Sequence, residues 1–366
     1  MIRKIICLFK NDIVLLVSLC LALLSCLITP PGPAYLGYID FHTLILLFCL
    51  MLIVEGLREA GFFLYIGGLL LNRTSSRRGL ALTLVFLCFL SSMFITNDVS
   101  LITFVTFGIL ILKMGQMESR ICYLTVLMTI AANLGSMFTP IGNPQNLYLY
   151  SLSGMSLPEF LWLMLPFTAL AAVLLALFSF FGTERGSISI QVGKSSFPGR
   201  KDLLFFGILF LFCLCSVAGF LPDRALLILV AVPLFFRKRI LFAKIDYALL
   251  LTFVFFFIFV GNIDHFESLR IFIRSVLENH ERPVSILASQ VISNVPAAML
   301  LSNYTSRISE LIIGTNLGGL GTLIASMASL ISYRQISSGY PEQKGKYIMI
   351  FTICNLFFLL VLYLAF

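Results

Sequence analysis

Apolar residues along this chain fall in long blocks rather than in alternation with polar ones. The blocks lie near 13–29, 41–57, 79–95, 99–114, 121–152, 158–182, 203–221, 225–236, 246–262, 284–300, 306–332 and 347–366. A helix crosses about 30 Å of hydrocarbon with roughly 20 mostly apolar residues, and most blocks approach that length. The blocks at 121–152 and 306–332 are interrupted from within by proline, glycine and amide residues. The pattern predicts an all-α polytopic membrane protein. The first block follows Arg3 and Lys4, the flank of a secretory signal. It is long for a signal core, however, and nothing near Pro30 to Pro33 reads as a cleavage site. It reads as a retained first helix.

Composition agrees. Hydrophobic residues make up 59% of the chain and charged residues 11%, against about 25% charged in soluble proteins. Nine cysteines sit almost entirely inside apolar blocks without framework spacing, which favours small core- or lipid-facing residues over disulfides or metal ligands.

Lys and Arg orient the blocks, because they concentrate on the cytoplasmic side. Arg3, Lys4 and Lys10 put the N-terminus inside, and residues 30–40 carry no basic residue and lie outside. Arg58, Arg73, Arg77 and Arg78 return inside, and so do Lys113 and Arg120. Blocks 79–95 and 99–114 therefore enter and leave on one side, as a re-entrant helical hairpin (79–114) turning at Thr96-Asn97-Asp98. Arg185, Lys194, Arg200 and Lys201 mark an inner loop, and Arg237 to Arg239, Lys244, Arg334, Lys344 and Lys346 are inner as well. A second hairpin, 284–305, enters from outside with Ser293-Asn294 at its tip, and the C-terminus ends outside. Only Arg224, Arg270, Arg274, Arg282 and Arg307 fall on the outer side. This asymmetry accounts for the net charge of +8 without a nucleic-acid partner.

An internal repeat is visible. NLGSMFTPIGNPQNL from Asn133 and NLGGLGTLIASMASL from Asn316 share six of fifteen columns without a gap, including Thr139 with Thr322. Each follows a hairpin-tip asparagine, Asn97 or Asn294, and each hairpin follows a span and an amphipathic stretch (59–72, 264–278). The order predicts two inverted-topology repeats, each with a re-entrant hairpin and a discontinuous transmembrane helix. The first is 1–182 with its broken helix at 121–152. A cytoplasmic loop (183–201) and a linking helix (202–223) separate it from the second, 224–366, whose broken helix is 306–332. Inverted repeats with broken helices are an architecture of secondary transporters.

The tips and breaks carry the candidate chemistry. Each tip opens a half-helix of about 11–13 residues, roughly 16–20 Å long, which would reach the midplane. The first N–H groups of a helix lack internal partners and carry positive partial charge, so two such ends would make an anion site without Lys or Arg. Carbonyls freed at the breaks suit Na⁺ or a proton-linked site. Pro140 and Pro144 each remove a backbone donor, and Asn143, Gln145 and Asn146 offer amide oxygens. Gly318, Gly319 and Gly321 loosen the second break, where Thr322 and Ser326 supply hydroxyls. Asp98 is an ionisable group at bilayer depth, which points to function; it ligates a cation, exchanges a proton, sits protonated, or caps the helix after it. Glu55, Arg58 and Glu59 have the spacing of ion pairs locking a helix end, with a gate as the alternative. His42, His265 and His280 are isolated, and no nucleophile–base pair, zinc cluster or nucleotide motif indicates an enzyme.

Asn97-Asp98 after an apolar run, NLGSMFTPIGNPQNL, Ser293-Asn294-Val295-Pro296 and NLGGLGTLIASMAS together resemble the ion transporter superfamily over roughly residues 40–182 and 246–332. That group holds arsenite permeases, sodium–proton antiporters, citrate–metal transporters and dicarboxylate–sodium symporters. The resemblance implies a scaffold part and a moving transport part, a homodimer, and elevator-like alternating access in the cytoplasmic (inner) membrane. Carried onto this chain, it implies a site at Thr96, Asn97, Asp98, Asn133, Thr139, Gly142, Asn143 and Asn146, with Ser293, Asn294, Asn316, Gly318, Gly319 and Thr322. Na⁺ as coupling ion would sit at Asn97, Asp98 and Gly142 and at Asn294, Gly319 and Thr322, with no other cofactor. Dicarboxylate symporters carry Ser-Asn-Thr at both tips; here the tips are Thr96-Asn97-Asp98 and Ser293-Asn294-Val295, closer to the arsenite-permease branch. The expectation is a secondary active transporter moving a small anion or oxyanion, coupled to Na⁺ or H⁺. A Na⁺/H⁺ antiporter or arsenite efflux permease on the same scaffold is the alternative.

Overall fold

A computed structural model describes residues 13–188, 197 and 199–366. The basic cluster Arg3, Lys4 and Lys10, and Lys194 of the inner loop, lie outside the described residues. Regular structure among the described residues is helical, apart from an isolated bridge between Ser76 and Ser187. Among the described residues, four helices are each long and apolar enough to cross a membrane: Phe41–Glu59, Asn97–Met114, Leu157–Phe181 and Pro341–Ala365. A fifth candidate is Asp223–Ala243 with Tyr247–Ile263, bent by 88° at the intervening break. The other apolar blocks form shorter helices, because breaks and turns divide them. Their outward faces stay apolar, as at Trp162 and Phe181, each 72% exposed, and surfaces of that kind belong against lipid.

Contacts divide the chain into two compact units that interleave its segments. One comprises Met1–Ala60, Arg200–Glu281 and Met299–Ile308; the other comprises Gly61–Gly199, Arg282–Ala298 and Ser309–Phe366.

In the first unit, Phe41–Glu59 packs on Arg200–Val217 and Asp223–Lys238, and Ile13–Ser25 packs on Tyr247–Ile263. Gly56 lies against the Phe206 ring so closely that a Cβ would overlap it. Two spans start on aspartate caps, Asp40 accepting from the Thr43 N–H and Asp246 from the Leu249 N–H. Glu55 holds Arg58 through two bonds of 2.8 Å, and Glu59 pairs with Lys244. The acidic residues at this helix end are thus spent on ion pairs.

The second unit is built around Ile121–Ser136, in which every residue but Tyr123 is buried. Arg77–Ser91, Asn97–Met114, Leu157–Phe181, Met327–Gly339 and Lys344–Ala365 pack against it. Gly135 sits directly under the Phe89 carbonyl, where a side chain would not fit. The arms meeting near Thr96 are Arg77–Ser91 and Asn97–Met114, 15 and 18 residues long, longer than the expected 11–13. Gly108, packed against Met128, does not interrupt the second arm, which runs to Met114 and reaches about 27 Å at 1.5 Å per residue. The arms at Ser293 are shorter, Glu281–Ile292 and Asn294–Ser302. Both long blocks are broken as expected, Ile121–Ser136 from Pro144–Ser153 and Ile308–Gly318 from Met327–Gly339.

Candidate functional site

Every residue expected at the site lies in the second unit. At the first turn, Thr96 is extended and helix Asn97–Met114 begins at Asn97. Asn97 is 4% exposed. Its Oδ1 accepts from the Asp98 N–H at 2.9 Å and its Nδ2 donates to Asn133 Oδ1 at 3.0 Å. Thr96 makes no side-chain cap bond. Asp98 occupies the first helical turn, half-buried, where the helix end favours a carboxylate.

The first break follows from chemistry. Pro140 and Pro144 have no N–H to donate, and the chain passes through a short 3-10 turn, Pro140–Gly142, before helix resumes. Gly142 lies against the Ser136 carbonyl, leaving no room for a Cβ. Side chains replace the lost backbone bonds. Asn146 Nδ2 donates to the carbonyls of Ser136 and Thr139, both at 3.3 Å. Asn143 Nδ2 donates to Ser136 Oγ at 2.5 Å, and Thr139 Oγ1 donates to the Met93 carbonyl at 2.5 Å.

At the second turn Ser293 has φ +72, a left-handed conformation uncommon for a non-glycine residue and concentrated at functional sites. Ser293 and Asn294 are both buried. The Asn294 N–H donates to the Ala325 carbonyl at 3.0 Å, which ties this turn to the second break. Gly319 lies beside Asn294 Nδ2, and Gly318 presses on Ser289. The second break is stapled by Gln290. Its Nε2 donates to the Gly318 and Leu320 carbonyls, each at 2.9 Å, and its Oε1 accepts from the Thr322 N–H at 2.8 Å. Thr322 is exposed and donates its hydroxyl to the Gln290 carbonyl, so the structure sets it in the staple rather than in the buried cluster.

The two breaks bond to each other reciprocally. Asn133 donates to the Gly319 carbonyl at 3.3 Å and accepts from Ser326 Oγ at 3.0 Å. Asn316, which aligns with Asn133 in the two N-L-G stretches, donates to Asn146 Oδ1 at 2.6 Å. Asn97, Asn133, Ser136, Asn143, Asn146, Asn316 and Ser326 thus form one buried network. Beside it, Thr129 Oγ1 donates to Ser332 Oγ at 2.8 Å, and the Tyr347 hydroxyl to the same oxygen at 3.1 Å.

Some polar atoms in this cluster are buried with no hydrogen-bond partner. They are Asn143 Oδ1, Asn316 Oδ1 and both amide atoms of Gln145, and Gln145 is only 1% exposed. An unsatisfied buried group of this kind costs about 1–3 kcal/mol. No Lys or Arg is buried among the described residues, and no group of His, Cys, Asp and Glu there could hold a metal ion. Gln290 and Ser136 are the residues that motif reasoning left out of the site, whereas the orphaned Gln145 is one of the three amides singled out at the first break. Gln290 had one signal: a long amide in an apolar arm, three residues before the turn.

Spanning helices, two broken helices and a buried amide network define a polytopic membrane protein of transporter type. The chain belongs to the CitMHS family, described as citrate transporter, whose profile matches residues 2–310. It is a membrane transporter and not an enzyme. It is 32% identical over 325 residues to the uncharacterized transporter MJ0456 of Methanocaldococcus jannaschii, covering 88% of each chain. It is also 32% identical over 300 residues to the inner membrane protein YbiR of Escherichia coli, covering 81% of this chain and 80% of that one. A shorter match, 35% identity over 128 residues, relates 35% of the chain to 26% of the silicon efflux transporter LSI3 of rice.

Proposed function

We propose that this transporter moves a small hydroxylated oxyacid, in its neutral or weakly ionised form, through the amide network of the second unit. One observation carries the reading. Among the side-chain amides at the two breaks, the unpartnered atoms comprise three acceptors, Asn143 Oδ1, Gln145 Oε1 and Asn316 Oδ1, but a single donor, Gln145 Nε2. A fully ionised carboxylate offers only acceptors and would leave the three oxygens unsatisfied. A compound bearing several O–H groups donates to them and accepts from Gln145. The network contains no Lys or Arg, so a full negative charge would have only the half-helix N–H ends or a co-bound cation to balance its desolvation. Arsenous and silicic acids are neutral polyhydroxy species of this kind, and the likeness to a protein named as a silicon efflux transporter is consistent with them.

The same surplus of oxygens would hold Na⁺, and Asp98 at the first turn would carry a proton or neutralise the ion, so coupling to Na⁺ or H⁺ belongs to the proposal. So do the inverted repeats, the re-entrant hairpins, elevator-like movement, a homodimer, and residence in the inner membrane with the N-terminus inside and the C-terminus outside. The repeated N-L-G stretches and the reciprocal Asn133 and Asn316 bonds support the repeat reading. The test is thermal stabilisation of the purified protein by arsenous acid, silicic acid and citrate, with Na⁺ and pH varied separately, followed by flux in proteoliposomes. The reading expects the hydroxylated acids to stabilise and to be transported. Stabilisation and flux by citrate alone would overturn it, and stabilisation by Na⁺ alone with cation flux would convert it to a Na⁺/H⁺ antiporter.

A further inference from the structure

A cavity opens in the first unit. It has a volume of about 620 Å³, and its lining includes Arg274, Glu278, Glu281, Tyr304, Thr305 and Arg307. That size suits a small polar ligand. Part of the wall is internally neutralised. Glu281 is 5% exposed, accepts from Thr305 Oγ1 at 3.1 Å, and has Arg307 at 3.6 Å. Arg274 and Glu278 have no ion-pair partner among the described residues, although one helical turn separates them in sequence. The Tyr304 hydroxyl is buried without a hydrogen-bond partner. The cavity therefore presents one unpaired cation, one unpaired anion and a spare hydroxyl.

A ligand with a single sign of charge would match one of the two and confront the other. A zwitterion satisfies both. Helix Glu267–Leu277, which carries Arg274 to the cavity, buries Leu277 and exposes Ile271, Phe272 and Val276. An amphipathic helix of this make-up lies in the membrane interface, with its apolar flank among the acyl chains. The groups it meets at that depth are lipid headgroups.

We propose that this cavity binds the headgroup of an aminophospholipid, with the phosphate on Arg274 and the Tyr304 hydroxyl and the primary ammonium on Glu278. The chemistry is shared with free phosphoethanolamine. Charge-assisted hydrogen bonds are roughly twice as strong as neutral ones, and an ammonium with N–H donors can make one to Glu278 where a quaternary ammonium cannot.

The test uses the full-length protein in detergent, titrated with phosphatidylethanolamine, phosphatidylcholine and phosphatidylglycerol of identical acyl chains, and separately with phosphoethanolamine. Unfolding temperature and lipid retention in native mass spectrometry are the readouts. Phosphatidylethanolamine is expected to bind on the order of tenfold more tightly than the other two. Glu278→Ala should remove its advantage over phosphatidylcholine, and Arg274→Ala should weaken both. Both positions are exposed, so these variants keep the fold, and Tyr304→Phe adds a change of one oxygen. Saturation by phosphoethanolamine alone would assign the site to a soluble zwitterion of the same chemistry. Equal binding of the three lipids, or a preference untouched by both alanine variants, would overturn the proposal.

Discussion

Asn316 donates its side-chain amide to Asn146 Oδ1 at 2.6 Å across 170 residues of sequence, joining the last turn of one broken helix to the first turn of the other. Asn316 also donates to the Ile312 carbonyl of its own helix at 2.8 Å. Both amide hydrogens are thus committed, and its Oδ1 is left over.

That bond gives the first prediction. Asn316→Leu leaves Asn146 Oδ1 buried and unsatisfied, so it should cost about 1–3 kcal/mol of stability. Asn146→Leu removes the reciprocal acceptor and three bonds to the first break, and should cost more. A double-mutant cycle on unfolding temperature should give a coupling of about 0.5–3 kcal/mol. Strict additivity would show that the contact contributes nothing.

Gln145 should behave in the opposite way. Its amide makes no protein hydrogen bond, so Gln145→Leu removes an unsatisfied buried group and should leave stability unchanged or raise it by about 1 kcal/mol. If the amide meets the transported species, flux falls by about tenfold or more while the protein stays folded. Loss of stability with retained flux would assign Gln145 to the scaffold.

Gln290 is predicted to be structural. Replacing it with Leu frees the Gly318 and Leu320 carbonyls and the Thr322 N–H together, at a cost of roughly 2–4 kcal/mol. Gln290→Glu is the sharper variant, because a carboxylate keeps the acceptor for Thr322 but turns repulsive oxygens toward the two carbonyls. Hydrogen exchange at Thr322 should accelerate in the Leu variant and stay slower in the Glu variant.

Outside the membrane, the Arg120 side chain bonded to Glu184 at 2.6 Å holds that carboxyl below the 4.5 of an ordinary glutamate, with Arg77 adding to the field. A group whose folded value is depressed contributes stability above its unfolded value and loses it as pH falls through the folded one. The native protein should therefore lose some stability on acidification below 4.5, and Glu184→Gln should lose less over the same window. Glu184 is solvent-exposed, so the difference should shrink further in high salt. Unfolding temperature followed against pH in low and high salt checks it.

The helix interruptions were legible because proline's missing N–H is local chemistry, readable at Pro140 and Pro144 without a partner. Glycine did the same at Gly318 to Gly321. The turn asparagines were legible from polar residues breaking apolar runs. What bonds to what was not. Asn133 meets Gly319, and Ser326 meets Asn133, only because helices 186 and 193 residues apart are brought together, and no local pattern encodes that. The length of Asn97–Met114 was missed for a related reason: the positive-inside pattern fixes sides, whereas the arm's end depends on where helix formation stops, at Gly115. Thr322 aligns with Thr139 in the two N-L-G stretches, yet Thr139 donates to Met93 within a buried break and Thr322 is spent on Gln290. Sequence equivalence preserved the residue but not its surroundings.

The burial of Ile121–Ser136 bears on the order in which the protein is made. Thr129 and Asn133 find their partners at Ser332, Gly319 and Ser326, which leave the ribosome long after this helix does. Until then a segment destined for the centre of its unit has only first-half partners, Thr129 donating to the Thr125 carbonyl and Asn133 accepting from Asn97. The nascent first half is an unfinished intermediate that the second half completes, and a chain halted before Gly319 would present membrane quality control with an exposed amide-rich face.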